Sequence, residues 1–178
     1  MLEALRNAWK IPDLRKRIKF TLLMLLIFRI GSYVPVPGID PSVVKELVSR
    51  GALLGFFDMI SGGAFTQFSV FAMSITPYIN SSIIVQLLTI VIPKWEQLAK
   101  EGESGRKILA QYTRYGTVIL GLIQAIGLSI GFRSALKNPG FLSSAVMVLA
   151  LTAGTAFLMW LGEQITDKGI GNGISLLI

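Results

Sequence analysis

The stretch MSITPYINSSIIVQLLTIVI, residues 73–92, is apolar enough for a membrane interior, yet it carries Pro77, Asn80, Ser81, Ser82 and Gln86. A helix breaker and a run of hydrogen-bonding side chains in a segment of membrane length pose the question on which the fold turns. Lipid leaves backbone groups no water to bond, so a spanning segment is a helix or part of a closed barrel, and carbonyls freed by a proline must find neighbours or water. Projected at about 100° per residue, Ile75 and Ile79 share a face with Ser82, Gln86 and Thr89. The stripe is apolar at one end and polar at the other. Two readings fit it. In the first, small and polar residues form a seam between packed helices and bond across it. In the second, the stripe lines a cavity, wet at its polar end and pinched by isoleucines, because apolar constrictions gate pores by dewetting.

The rest of the chain sets this stretch among others like it. Of 178 residues, 52% are hydrophobic and only 15% are charged, a balance too apolar for an average soluble domain. The expected fold class is an all-α membrane protein, a multi-span helix bundle. A span needs about 20 mostly apolar residues. Runs of roughly that kind fall at 20–34, 69–92, 115–132 and 141–161. A fifth begins at 174 and stops at Ile178, too short to cross, so the chain is expected to be part of something longer. Between the first two runs lies ALLGFFDMI, residues 52–60, bracketed by Gly51 and by Gly62 and Gly63. It is too short to span. It is either a helix lying on the bundle or a short helix, hinged on its glycines, that enters the bundle from outside.

Net charge is +7, and its distribution matters more than its size. If the N-terminus is cytoplasmic, segments 1–19, 93–114 and 162–173 hold twelve basic residues and the opposite side holds four. Such a bias sets orientation in a membrane. Residues 1–19 resemble the basic region of a signal peptide, but no small-residue cleavage site follows and Arg29 interrupts the apolar run, so a retained first span is expected. As an intramembrane charge, Arg29 is expected to bond a carbonyl or Asp58. Cysteine and histidine are both absent, which excludes thiolate chemistry and removes the commonest metal ligand and general base. DKGIGNGIS, residues 167–175, lacks the spacing of a phosphate loop and reads as a tight turn, with Glu163, Asp167 and Lys168 as interfacial charges. No arrangement of nucleophile and base, metal or cofactor suggests an enzyme. Orientation, an absent catalytic set and a polar stripe leave two classes: a passive channel, or a secondary transporter that would hold a polar or ionisable group where its broken helices meet.

Five stretches together resemble one family: FRIGSYVPVPGID (28–40), SGGAF (61–65), PYINSSIIVQLLT (77–89), KEGESGRKILAQYTRYGT (100–117) and FLMWLGEQITDKGIGNGIS (157–175). They are long, collinear and similar to the N-terminal half of SecY, the channel subunit of the bacterial preprotein translocase. The resemblance implies one half, residues 1–178, of an inverted-repeat channel in the inner membrane, with the N-terminus cytoplasmic. It implies a pore ring at Ile75, Ile79 and Ile178. It implies a plug at about 53–61, with Leu53, Leu54, Phe56, Phe57, Met59 and Ile60. Ile83 and Gln86 become lateral-gate residues, and Arg106, Lys107 and Arg114 belong to a cytoplasmic loop. Implied partners are SecE, SecG, the motor SecA or a ribosome (mainly through a second half), signal sequences, unfolded preproteins and the lipid bilayer. No cofactor is implied. Half of an inverted-repeat secondary transporter is the alternative.

Overall fold

Four of the seven prolines open helices. Proline at the first helical positions loses nothing, because its missing N–H would be unpaired there anyway and its φ is preset for the helix. The computed structural model describes residues 11–51, 55–56, 58–59, 62–138 and 140–178. In it α1 (Pro12–Gly31), α2 (Pro41–Arg50), α3 (Thr76–Val91) and α4 (Pro93–Lys100) each begin on or beside a proline. Gly102, at φ 76°, turns the chain into α5 (Glu103–Gly131). A 3₁₀ turn (Arg133–Ala135) leads to α6 (Phe141–Lys168), and α7 (Gly173–Leu177) follows. Among the described residues strand pairing is confined to two isolated bridges, Pro35 with Ser69 and Ile39 with Leu136.

Pro77 is therefore a helix start. Residues 62–75 are turns, and the second apolar run is a helix only from Thr76. A hydropathy window sums side chains and does not see whether the backbone is helical, which is why 69–92 read as one span. Helices α5 and α6 are long and apolar enough to cross a membrane, and α3 with α4 counts as a third only as one broken span bent by 104°. Helix α1 has an apolar stretch, but Asp13, Arg15, Lys16, Arg17, Lys19 and Arg29 share its 20 residues.

Helices α3 and α5 pack antiparallel, and α6 packs against α5, α1 and α7. The turn segment 62–75 is folded into this bundle. Val36 N–H donates to the Phe68 carbonyl and Val70 N–H to the Val34 carbonyl, so the 34–40 segment and the turns pair with one another. Phe71 stacks between Phe28 of α1 and Phe157 of α6, with ring centroids 6.0 and 5.9 Å apart. Phe68, fully buried at φ 45°, packs with Phe65 and Phe132. Gly154 near the centre of α6 admits the Val70 carbonyl where any Cβ would stand. Non-helical backbone at membrane depth is tolerated only when buried in protein or lining a wet cavity. Here the amides of Phe68, Ser69, Val70, Phe71, Ala72 and Ser74 are bonded within the protein, and the segment's aromatic side chains fill the core. Asp40 precedes α2 and accepts from the Ser42 hydroxyl and amide; these bonds hold its carboxyl below the usual carboxylate range.

Arg29 Nη1 donates to the Gly62 carbonyl at 3.0 Å, and Nη2 donates to the Tyr33 hydroxyl at 3.0 Å. Its guanidinium thus ties α1 to the glycine turn through a carbonyl, one of the two partners expected from the sequence.

Candidate functional site

Helix α3 starts beside the middle of α5 and α6. Gly121 of α5 faces Thr155 of α6 and Pro77 of α3 within 4.0 Å, and both glycine and threonine lie well inside their helices. Ile75 is the N-cap residue, and the Ile79 amide donates to its carbonyl, so the two isoleucines stand one turn apart at the helix mouth. Ile75 is 1% exposed and packs with Met24, Phe71, Leu158, Leu161, Ile165 and Leu177. Ile79 is half-buried against the same cluster, together with Ile174. Ile178 is 59% exposed. Sequence reasoning brought Ile75 and Ile79 together and took Ile178, just past α7, from the resemblance; it did not name Ile174 and Leu177, which carry α7 into the cluster. Spacing along GISLLI was the signal available: residues three apart share a face, and only packing says which face points inward.

The polar half of the stripe divides in two. Ser81 is buried and donates to the Thr113 carbonyl at 2.8 Å, across from Gly116, where a Cβ would collide with its oxygen. That is the seam reading. Ser82, Gln86 and Thr89 instead open into a cleft of about 380 Å³ at the elbow of α3, α4 and α5, shared with Arg106 and Thr113. That matches the polar end of the cavity reading, although Ile75 and Ile79 do not line this cleft. Within the cleft Thr89 donates to the Gln86 carbonyl at 2.6 Å. Ile83 and Gln86 are both exposed on α3.

Arg106, Lys107 and Arg114 are not in a loop. All three lie on α5, because the polar residues after Gly102 are good helix formers and continue the apolar helix without a break. Arg114 Nε donates to Glu163 Oε1 at 2.7 Å, bridging α5 to α6. Glu163 is thus a packing partner rather than a free interfacial charge, and a separation of 49 residues gave no sequence signal for the pair. Of the residues expected to form a plug, Phe56 and Met59 are helical and 59% and 80% exposed, while Leu53, Leu54, Phe57 and Ile60 lie outside the described residues. Between them Asp58 accepts from the Thr66 amide at 2.7 Å.

A family model of SecY matches residues 69–178, the part holding the α3 mouth, the cleft and α7. The chain belongs to the SecY family. It is 52% identical to the protein translocase subunit SecY of Halalkalibacterium halodurans, over 100% of this chain and 42% of that protein. The fold matches Sec61 in the canine ribosome–channel complex from the endoplasmic reticulum, with a TM-score of 0.64 at 18% identity over 97% of this chain and 39% of that one. It also matches a SecY structure whose plug domain is described as stabilising the closed channel and maintaining a membrane seal, with a TM-score of 0.62 at 18% identity over 97% and 38%. The chain thus spans less than half the length of the SecY relative and channel structures it matches. SecY membership and the long apolar helices make it a multi-pass membrane protein.

Proposed function

We propose that this chain forms the first half of a protein-conducting channel, with Ile75 and Ile79 as its share of the constriction. One observation carries the reading: α3 begins on two isoleucines beside the middle of α5 and α6 and against α7, with an open polar cleft at its other end. A ring of branched apolar groups seals against water and ions while binding no particular sequence, which suits passage of many unfolded chains. A transporter would place a tightly grouped polar or ionisable site at the break; here the break holds Ile75, Phe71 and Leu161, with Ser74 and Thr155 contributing single hydroxyls. The channel's work is passive, so the energy comes from a docked motor or ribosome, with SecE and SecG beside a second half supplied by the rest of the channel. Ile174 joins the ring with Ile178. Residues 53–61 act as the plug, and Ile83 and Gln86 face the lateral gate through which signal sequences enter lipid.

A photo-crosslinking residue at Ile79 of the complete channel, holding a precursor arrested in transit, is expected to capture that precursor. The same residue at Ile123 is expected to capture none, since it lies two residues and about 200° from Gly121 on α5. Equal capture at both positions, or none at Ile79, overturns the reading.

Orientation is tested separately. The N-terminus and α4 are placed in the cytoplasm of a bacterial inner membrane, on the basic-residue bias. Ser104→Cys, exposed on the first turn of α5, should react with an impermeant maleimide only from the cytoplasmic side. Labelling from outside reverses the topology.

A further inference from the structure

The end of α5 and the start of α6 diverge and leave a groove of about 350 Å³. It lies at the end of the bundle opposite the α3–α4 elbow. Its walls are Ile126 and Ile130 of α5 and Phe141, Ala145 and Val148 of α6, and Phe141 is 91% exposed. Both walls belong to the two helices long and apolar enough to cross a membrane, so the groove opens toward hydrocarbon. Arg133, on the 3₁₀ turn just past α5, is its one charged lining residue, and no carboxylate lines it. Among the described residues Arg133 makes no ion pair.

We propose that this groove holds one anionic bilayer phospholipid, its phosphate on Arg133 and its upper acyl chain between Ile126, Ile130 and Val148. Volume, charge and placement converge on that occupant. The groove falls within the range of about 300–1,000 Å³ typical of ligand sites. Ile126 to Arg133 covers about 10 Å of helix, the part of an acyl chain nearest its headgroup. A guanidinium at a helix end reaches the headgroup level and offers a planar fork that matches phosphate oxygens. A water-filled, mainly apolar groove would be unfavourable there, and a protein partner would have to offer an acid to Arg133 on a surface whose other polar lining is Ser129 and Ser144. The proposal rests on α5 and α6 crossing the bilayer, and the test reports on that independently.

The complete channel is reconstituted in nanodiscs with phosphatidylglycerol or phosphatidylcholine bearing a diazirine in the upper acyl chain, irradiated, and mapped by peptide mass spectrometry. Adducts are expected to concentrate on residues 126–130 and 144–148, with phosphatidylglycerol favoured. Arg133→Gln should lower the phosphatidylglycerol adducts about fivefold, the effect of one basic residue at an anionic headgroup, and leave the phosphatidylcholine adducts unchanged. Ala145→Phe should lower both by filling the groove. Labelling of Ile119 and Leu149, exposed on the same helices away from the groove, reports whether α5 and α6 face lipid at all. Even labelling of the groove and of those two residues overturns the proposal. So does an Arg133→Gln channel that labels like the parent. Protection of the groove from both lipids while Ile119 and Leu149 still label does the same, and assigns the groove to a protein subunit.

Discussion

Ile75→Ser with Ile79→Ser raises the resting ion conductance of the complete channel, and Ile84→Ser leaves it close to the parent level. The two isoleucines stand one turn apart at the mouth of α3, whereas Ile84 projects from the opposite side and is already exposed. Hydroxyls at the constriction let water persist where branched apolar groups expel it. Lowering the barrier to a hydrated ion by only about 1.4 kcal/mol raises the current about tenfold. The double variant should also discriminate less against weak signal sequences, because a wetter ring holds the closed state less firmly. Single-channel current across planar bilayers is the measurement. A leaking Ile84→Ser channel beside a tight double variant would show that the face has been assigned wrongly. Because Ile75 is buried within an apolar core cluster, its replacement also weakens the bundle, by about 2–5 kcal/mol on the scale of large-to-small core changes. Ile79→Ser alone separates the two effects: it lies half-buried, so its leak should exceed its loss of stability.

Gly154→Ala should remove the complete channel from the membrane, while Gly116→Ala should leave it close to normal amounts. The two glycines look alike in sequence, both in the middle of long apolar helices. A Cβ at Gly154 would overlap the Val70 carbonyl, backbone in a segment pinned by its own hydrogen bonds and by the Phe28–Phe71–Phe157 stack. The segment can give way only by separating from α6, which carries overpacking beyond the usual range of about 1–3 kcal/mol. A Cβ at Gly116 would meet the Ser81 hydroxyl, which can rotate away and lose its bond to the Thr113 carbonyl, at about 1 kcal/mol. Immunoblots of membrane fractions, with aggregation temperature in detergent, give the comparison. Equal amounts of the two variants would mean that the turn segment is not held against α6.

The apolar content, the presence of α5 and α6 and the basic bias were legible because each is a local sum over residues, and the exclusion of water from lipid translates such sums into helices. The start of α5 at Glu103 and the end of α6 at Lys168 were not, because their polar turns carry no apolar signal. Pro77 was legible as a break but not as a beginning. The residues before it are as apolar as those after it, and only their hydrogen bonds to 34–36 and their aromatic packing show them to be turns. Ile75 and Ile79 could be placed on one face from their spacing. Which residues of GISLLI pack beside them could not, because adjacent residues point about 100° apart and only packing decides that Leu177 is buried while Ile178, just past α7, is exposed. Ser81 and Ser82 are adjacent and polar, yet one is sealed against Thr113 and the other opens into the cleft, a difference set by the approach of α5 at Gly116. The Arg114–Glu163 pair and the Arg29 contact with Gly62 join residues far apart along the chain. Periodicity determined which side chains could act together; the crossing of α5, α6 and the folded-in 62–75 turns decided which of them do, since contact between segments depends on packing distances that no local pattern of residues contains.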